Sequence, residues 1–312
     1  MDQIEKMYYR LEKMWGGYQS RRLYAKKYEF IDRRKNSKNL LIILAGFQPY
    51  YWNIVLERIY VAQKNFKEDI DICICIPGED ATILKEKASL YNWSVLRITK
   101  DLLAQAQNTA ILLHPKAEYI FKLDEDIIIS DKYFDELKTS LKKIEKIHDK
   151  GIGFISPLIN LNANGIKSFL ISQNLMDEYE NRFGKFFIGS EAPIHKNADL
   201  AEWIWNKSIP FDTVANQIEL RNKDKYFECS VRFSVGAVLF RRRFWDNLGG
   251  FIVKGEGYLG GEEEQMNAYC INNMLSIIVA ENVFAGHLGF FSQKEACRKF
   301  FINHQNELMF KK

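Results

Sequence analysis

The segment from Tyr119 to Asp126 constrains the fold most, because an apolar run typical of a strand ends there in three carboxylates. Side chains alternate between the two faces of an extended chain, so Asp124 and Asp126 are expected to project together while Glu125 points away. Two adjacent carboxylates repel each other unless a cation lies between them. The segment therefore predicts a site for a divalent ion, with substrate phosphates as further ligands. The alternative is a solvated acidic turn after a buried strand.

Strand and helix patterns alternate along the chain from residue 40 onwards. Strand-like apolar runs cover residues 40–45, 70–76, 94–98 and 119–123, and helical spacing covers residues 52–65, 81–91 and 101–113. This succession predicts an α/β fold, with a mostly parallel, twisted sheet and helices on both faces. In such sheets ligands bind beyond the carboxyl ends of the strands, which is where the three carboxylates lie.

The second half of the chain is less regular. Periodicity fades over residues 160–225, where polar residues mix with aromatic ones, including Trp203 and Trp205. The aromatic content argues against disorder and favours an irregular functional insertion. We therefore predict a basic helical arm over residues 1–39, a domain over residues 40–292 and a helical tail over residues 293–312.

Charge is uneven along the 312 residues, whose net charge is +4. Residues 1–39 contain eleven Lys or Arg against five Asp or Glu, a local charge of +6. This arm could make peripheral contact with an anionic membrane, or could pack on the domain through its aromatic residues. A basic excess confined to one end disfavours a nucleic-acid binder. Without a signal peptide or a membrane-spanning run, we expect a cytoplasmic protein, at most peripheral at the inner membrane face.

A glycine-rich segment precedes a second acidic run. Gly255, Gly257 and Gly260 match the dinucleotide-binding spacing, and Glu281 follows about twenty residues later, as the ribose-binding acid would. However, the next helix would present Glu262, Glu263 and Glu264 to the pyrophosphate, and like charges oppose binding. The glycines fit better with a sharp bend that brings these acids, stabilised by the helix dipole, into a cleft. A dehydrogenase remains a weaker alternative, which a test of NAD binding would settle.

Several short motifs follow one another along the chain: Asn108, Leu123-Asp124-Glu125-Asp126, Gly236-Ala237-Val238-Leu239-Phe240-Arg241, Gly249-Gly250-Phe251, Gly260-Gly261-Glu262-Glu263-Glu264 and His287. Their order is the one seen in GT-A fold glycosyltransferases, and the chain resembles a family 2-type enzyme. The run from Gly257 to Glu264 also resembles the Gly-Trp-Gly-Gly-Glu-Asp-Asp-Asp segment of animal β-1,4-galactosyltransferases. The resemblance covers roughly residues 40–290 and implies a GT-A type fold whose irregular insertion lies on the acceptor side.

The resemblance also implies roles for individual residues. Asp124 and Asp126, completed by His287, would hold Mn²⁺ or Mg²⁺ against the diphosphate of a UDP-sugar. The residues that would contact the donor are Ala45, Gly46, Phe47, Asp80, Asn108, Asp124, Gly236, Ala237 and Gly261. Glu263 would be the catalytic base and Glu262 its neighbour in the cleft. Glutamates stand where the family usually has aspartate, which leaves the base to be chosen among Glu262, Glu263 and Glu264.

The sequence thus predicts an inverting, metal-dependent transferase that moves a sugar to a hydroxyl of a glycan or lipid-linked glycan, as in surface polysaccharide synthesis. The aromatic faces of Trp203 and Trp205 would stack on the acceptor. Two alternatives stay open: a retaining transferase of the same fold, and a noncatalytic module that binds nucleotides or glycans.

Overall fold

The computed structural model describes residues 23–258, 260–289 and 291–310. Within them, ten strands form one sheet. The strands are β1 (Tyr28–Ile31), β2 (Asn39–Leu44), β3 (Asp71–Pro77), β4 (Ser94–Ile98), β5 (Tyr119–Asp124), β6 (Ile127–Ile129), β7 (Ile152–Ile159), β8 (Tyr226–Cys229), β9 (Ala237–Arg241) and β10 (Ser276–His287).

The α-helices of the described residues connect and cover these strands. They are α1 (Trp52–Asn65), α2 (Thr82–Tyr91), α3 (Leu103–Leu113), α4 (Tyr133–Ile147), α5 (Ile166–Ser172), α6 (Met176–Phe183), α7 (Ala198–Asn206), α8 (Phe211–Arg221), α9 (Arg242–Leu248), α10 (Gly261–Asn272), α11 (Lys294–Asn303) and α12 (Gln305–Leu308). None of them is long and apolar enough to cross a membrane.

The sheet has the order β1-β4-β3-β2-β5-β9-β7-β10-β6, and β8 pairs with β10. The strands β2, β3, β4 and β5 are parallel, and β7 and β10 share their direction because β9 lies antiparallel between β5 and β7. Every residue of β2 and β3 is buried. Strands that are buried on both faces need cover on both sides. The predicted α/β class, with a mostly parallel sheet covered on both faces, is confirmed.

The last strand, β10, brings the C-terminal part of the chain to the three carboxylates. Its first half pairs with β7 and β8, and its end pairs with β6, the short strand that begins directly after Asp126. His287 lies opposite Ile127 in this register, and the N–H of Leu288 donates to the carbonyl of Asp126 at 3.0 Å. Because of this pairing, His287 reaches the acidic turn from a distant part of the sequence.

Two structural expectations were wrong in detail. The stretch 160–225 is mostly helical and contains α5, α6, α7 and α8. Its helices are short, between seven and eleven residues, so their periodicity is difficult to recognise in sequence. The predicted helical arm is in part a strand, because residues 28–31 form β1, antiparallel to β4. Residues 1–22 of that arm lie outside the described residues.

Candidate active site

Glu125 links the acidic turn, residues 124–126, to the segment after β2 through hydrogen bonds. The turn lies between the end of β5 at Asp124 and the start of β6. The buried Glu125 carboxylate accepts hydrogen bonds from the N–H groups of Gly46 at 2.9 Å and Phe47 at 3.0 Å, and from Nε1 of Trp52 at 2.6 Å. Burial raises the pKa of Glu125 to about 7 even with these donors. Glu125 thus points away from the aspartates and has a structural role.

Asp126 is buried and has one oxygen without a partner. Its Oδ2 accepts a hydrogen bond from Nε2 of Gln48 at 3.0 Å and lies 3.6 Å from Nε2 of His287. Its Oδ1 is buried and has no hydrogen-bond partner. Burial raises the pKa of Asp126, but His287 and Gln48 outweigh that effect and hold the pKa below its usual value. An ionised carboxylate with an unused oxygen is suited to bind a cation.

Asp124 is paired with a buried lysine. The ammonium of Lys122 lies 2.7 Å from Oδ1 of Asp124 and donates to the carbonyl of Val235 at 2.9 Å. Burial raises the pKa of Asp124 to about 6, against the lowering effect of Lys122, and the charge of Asp126 adds to the rise. Burial lowers the pKa of Lys122, but Asp124 and Glu262 outweigh this and leave the pKa above its usual value. The charge of Lys122 thus interacts with acids of both runs, and Lys122 contacts Asp124 directly.

The second acidic run is the first turn of α10, which begins after Gly260 in the left-handed conformation. Its three glutamates have different environments. Glu262 is buried, whereas Glu264 is exposed and pairs with Lys254 at 2.7 Å. Glu263 is partly buried, and its Oε1 lies 2.8 Å from Nε and 2.7 Å from Nη2 of Arg232. The Oε2 of Glu263 accepts a hydrogen bond from the N–H of Val235 at 3.3 Å. Glu263 alone combines partial access with a fixed position.

The segment 232–236 connects the two acidic runs. The N–H of Val235 contacts Glu263, and the carbonyl of Val235 contacts Lys122, which in turn contacts Asp124. Next along the chain, the carbonyl of Gly236 accepts from the N–H of Asp124 at 2.9 Å. A Cβ on Gly236 would lie 3.3 Å from Oδ2 of Asp124. Carboxylates distant in sequence thus share one end of the sheet, beyond the carboxyl end of β5.

No group of three or more His, Cys, Asp or Glu side chains among the described residues is arranged to hold a metal ion. The donors nevertheless fit a divalent cation in type. They are the unpartnered oxygen of Asp126, the partly exposed carboxylate of Asp124 and the imidazole of His287. His287 is also held in position. Its backbone N–H donates to Oδ1 of Asn160 at 2.9 Å, and Nδ1 of its ring lies 3.2 Å from the carbonyl of Leu161.

Several predicted donor contacts lie at this edge. Ala45, Gly46 and Phe47 directly follow β2, and the Phe47 ring is exposed. Gly236 approaches Asp124, whereas Ala237 is buried in β9 opposite Leu123. Gly261 opens α10 and has the Tyr258 ring 3.3 Å from its Cβ position. Asp80 is exposed and accepts a hydrogen bond from Lys85 at 2.8 Å.

Asn108 has a different role from the predicted donor contact. Its amide donates to the carbonyls of Leu23 and Phe251 at 3.1 and 2.7 Å. Its oxygen accepts from Nε1 of Trp245 at 3.0 Å and from the N–H of Phe251 at 2.9 Å. The side chain is fully buried and all of its hydrogen-bonding capacity is used. Asn108 therefore holds the Gly249-Gly250-Phe251 turn in place and does not face a ligand.

The two predicted acceptor residues are also part of the core. Trp203 is 4% exposed and Trp205 is 0% exposed, so neither ring offers a face to a sugar. Nε1 of Trp203 donates to Glu178, and Nε1 of Trp205 donates to the carbonyl of His287 at 2.9 Å. The prediction was wrong because α7 turns both rings inward. Trp205 supports the site indirectly, by fixing the backbone of His287.

Three residues at the site were not predicted from the sequence: Gln48, Lys122 and Arg232. Lys122 had a detectable signal, since it is a charged residue in an apolar strand, two positions before Asp124 and on the same strand face. Gln48 lies in a segment without a pattern, and Arg232 lies in the strand-like run over residues 231–241, which gives no sign of its role; only the tertiary structure brings both to the carboxylates.

The sequence matches no family model and no curated protein. Among solved structures, the chain is similar to the mannosyltransferase PcManGT from Pyrobaculum calidifontis in complex with GDP-Man and Mn²⁺. That match has a TM-score of 0.47 and 13% identity, and covers 95% of this chain and 69% of the other. A mycobacterial protein matches with a TM-score of 0.44 and 9% identity, over 88% of this chain and 76% of the other. Neither likeness carries an argument about activity, which rests on the site residues.

Proposed function

We propose that this protein is an inverting, metal-dependent glycosyltransferase that moves a sugar from a UDP-sugar to a hydroxyl of a glycan or lipid-linked glycan. One observation carries the proposal. Two groups of carboxylates, Asp124 with Asp126 and Glu262 with Glu263, meet through Lys122 and Val235 at the carboxyl end of β5. The first group has an oxygen without a partner, and the second has a carboxylate that is partly accessible.

Asp124, Asp126 and His287 would hold Mn²⁺ or Mg²⁺. When bound, the ion would neutralise charge on the departing diphosphate as a Lewis acid. Lys122 and His287 lie against Asp124 and Asp126 and offset part of the negative charge of these two carboxylates. We assign the backbone of Gly46, Phe47 and Gly236 to donor binding. The exposed Phe47 ring would lie beside the nucleobase of the donor.

Glu263 would act as the general base. The acceptor O–H bond breaks as its oxygen bonds to the anomeric carbon, and the proton passes to Glu263. The bond from the anomeric carbon to the diphosphate breaks, and the diphosphate leaves with the electron pair. This single displacement inverts the anomeric configuration. Val235 and Arg232 fix the orientation of Glu263 before the acceptor arrives.

The experiment that tests the proposal is a thermal-shift screen of nucleotide sugars with and without Mn²⁺, followed by product analysis. A specific donor should raise the midpoint of unfolding, because a ligand that binds only the folded state stabilises it by mass action. Retention of configuration in the product would favour the retaining alternative. Stabilisation without hydrolysis or transfer would favour a noncatalytic module, and no stabilisation by any nucleotide would contradict the proposal.

Contact with a membrane through residues 1–39 remains a prediction. Deleting residues 1–35 should abolish sedimentation with anionic liposomes if the local charge mediates it, and added salt should weaken it in the full chain by screening. A truncated protein that instead unfolds would mean that the aromatic residues of the arm are part of the core.

A further inference from the structure

Arg232 is an exposed cation on a fixed backbone. Its side chain is 64% exposed, whereas that of its partner Glu263 is 16% exposed. The carbonyl of Arg232 accepts from Nδ2 of Asn164 at 3.0 Å, and Phe233 is bound to Asn267 through its N–H at 2.8 Å and its carbonyl at 2.9 Å. A change of partner would therefore require only rotations within the Arg232 side chain.

The contact with Glu263 places Arg232 on the acceptor side. In a single displacement the nucleophile and the leaving group lie on opposite sides of the reacting carbon, so the base faces the acceptor and the diphosphate faces the metal ligands. Arg232 contacts the base directly. Asp124 is three contacts further away, through Val235 and Lys122. An anion bound by Arg232 would therefore belong to the acceptor.

Proton transfer changes the charge balance of this pair. When Glu263 accepts the proton, it becomes neutral, and Arg232 loses its counter-charge. An anionic group on the acceptor would replace that counter-charge, through charge-assisted hydrogen bonds to the planar guanidinium. We infer that Arg232 selects acceptors that carry a carboxylate or phosphate next to the reacting hydroxyl. This inference rests on the proposed function.

The neighbouring pair of Lys254 and Glu264 provides a matched control. Lys254 lies 2.7 Å from Glu264 and donates to the Tyr258 hydroxyl at 3.0 Å. Glu264 belongs to the same helical turn as Glu263 but is exposed and takes no proton in the proposed reaction. Lys254→Gln thus removes one cation from the same surface without affecting the base.

The test measures binding of three probes by saturation-transfer NMR in low salt, with the protein loaded with the diamagnetic ion Mg²⁺ and the nucleoside diphosphate that stabilises it. The probes are methyl β-glucoside, methyl β-glucuronide and glucose 6-phosphate, so that the neutral sugar is compared with a carboxylate and a phosphate. We expect at least one acidic probe to bind the wild type about 10-fold or more tightly than the neutral one, the scale of a hydrogen bond to a charged group. Arg232→Gln should remove this preference, Arg232→Lys should restore part of it, and Lys254→Gln should retain it.

The outcomes separate the inference from the proposed function. A wild type that binds no nucleoside diphosphate contradicts the proposed function itself. A wild type that binds a nucleoside diphosphate but shows no preference for either acidic probe overturns the inference about Arg232. An equal loss of preference in Lys254→Gln also overturns it, because the effect would then be one of general surface charge. Once a donor is known, Arg232→Gln should raise the KM of the acidic acceptor by a larger factor than that of the neutral one.

Discussion

The two acidic runs of this protein differ in how their carboxylates are satisfied. In the turn from Asp124 to Asp126 the side-chain partners Lys122 and Trp52 are buried and His287 is only 15% exposed, and Glu125 also accepts from two backbone N–H groups. In the first turn of α10 the ion-pair partners of Glu263 and Glu264 are the exposed side chains of Arg232 and Lys254, and Glu263 also accepts from the backbone N–H of Val235. A buried carboxylate cannot exchange its partners easily, whereas an exposed ion pair is weak and replaceable.

This difference suggests that the two acidic runs have separate roles, cation binding for the first and proton exchange for the second. The buried turn is preorganised and retains an unused oxygen on Asp126, as expected of a site that binds a cation without rearranging. In the first turn of α10 a substrate can replace the exposed ion pairs of Glu263 and Glu264, while the N–H of Val235 keeps Glu263 in position. This is expected of a carboxylate that must exchange a proton with the substrate. The predictions below test whether the two runs differ in this way.

The largest effect is expected for Asp126→Ala. The substitution removes a metal ligand and leaves the diphosphate without compensation, so Mn²⁺-dependent binding of UDP and turnover should be lost together. Several kcal/mol of charge stabilisation corresponds to a fall in turnover of about 10³-fold or more. Calorimetry of UDP binding with and without EDTA provides the measurement. The exposed Asp224, which pairs with Lys143, is the control. Unchanged UDP binding in the variant would place the metal elsewhere.

Glu263→Gln should separate binding from chemistry. The amide keeps the size of the side chain but cannot accept the proton, so turnover should fall by about 10²–10⁴-fold while the affinity for the donor persists. Single-turnover kinetics together with calorimetry would measure both quantities. Near-normal turnover, or loss of donor binding, would exclude Glu263 as the base and direct attention to the buried Glu262.

Much of the parallel half of the sheet was predictable. The helix over residues 52–65 and the strand over residues 94–98 were predicted with the bounds that α1 and β4 have. These elements bury a continuous apolar stripe or run, so local periodicity determines them. The strand β6 has three residues and exists because it pairs with β10, a contact between segments far apart in sequence. The sequence pattern around residues 127–129 does not indicate a pairing with such a distant segment.

The candidate site was predictable in part, for the same reason. Asp124 and Asp126 follow an obvious strand, and Glu263 follows an obvious glycine-rich bend. The indole rings of Trp203 and Trp205 were misplaced because α7 is buried on two sides, with Trp203 packed on α6 and Trp205 packed on α11, and these neighbours cannot be recognised from the sequence. The sequence around Arg232 does not indicate a functional role, and only the contact of Arg232 with Glu263 in the structure suggests one.

A smaller effect, on stability, is expected for Trp52→Phe. This substitution removes the indole N–H that donates to the buried Glu125 at 2.6 Å. Losing a hydrogen bond to a charged group should cost about 2 kcal/mol in the free energy of unfolding. Trp245→Phe is the matched control, because its indole N–H donates to the neutral oxygen of Asn108 and should cost about 1 kcal/mol. Urea denaturation would measure both, at a pH well above 7 so that Glu125 is ionised. Equal costs would mean that the charge of Glu125 adds nothing to the buried turn.

The smallest effect is expected for Glu264→Gln. Its carboxylate is exposed, and the hydrogen bond from Lys254 lowers its pKa, but water can replace that partner at little cost. Turnover and the midpoint of thermal unfolding should stay close to wild type, with turnover within about twofold. Because Glu264 is adjacent to Glu263, the variant also shows whether charge anywhere on this turn is enough for activity. A fall in turnover comparable to that of Glu263→Gln would mean that the glutamates act as a group, and the proposed contrast between a rigid metal-binding turn and a single replaceable base would be lost.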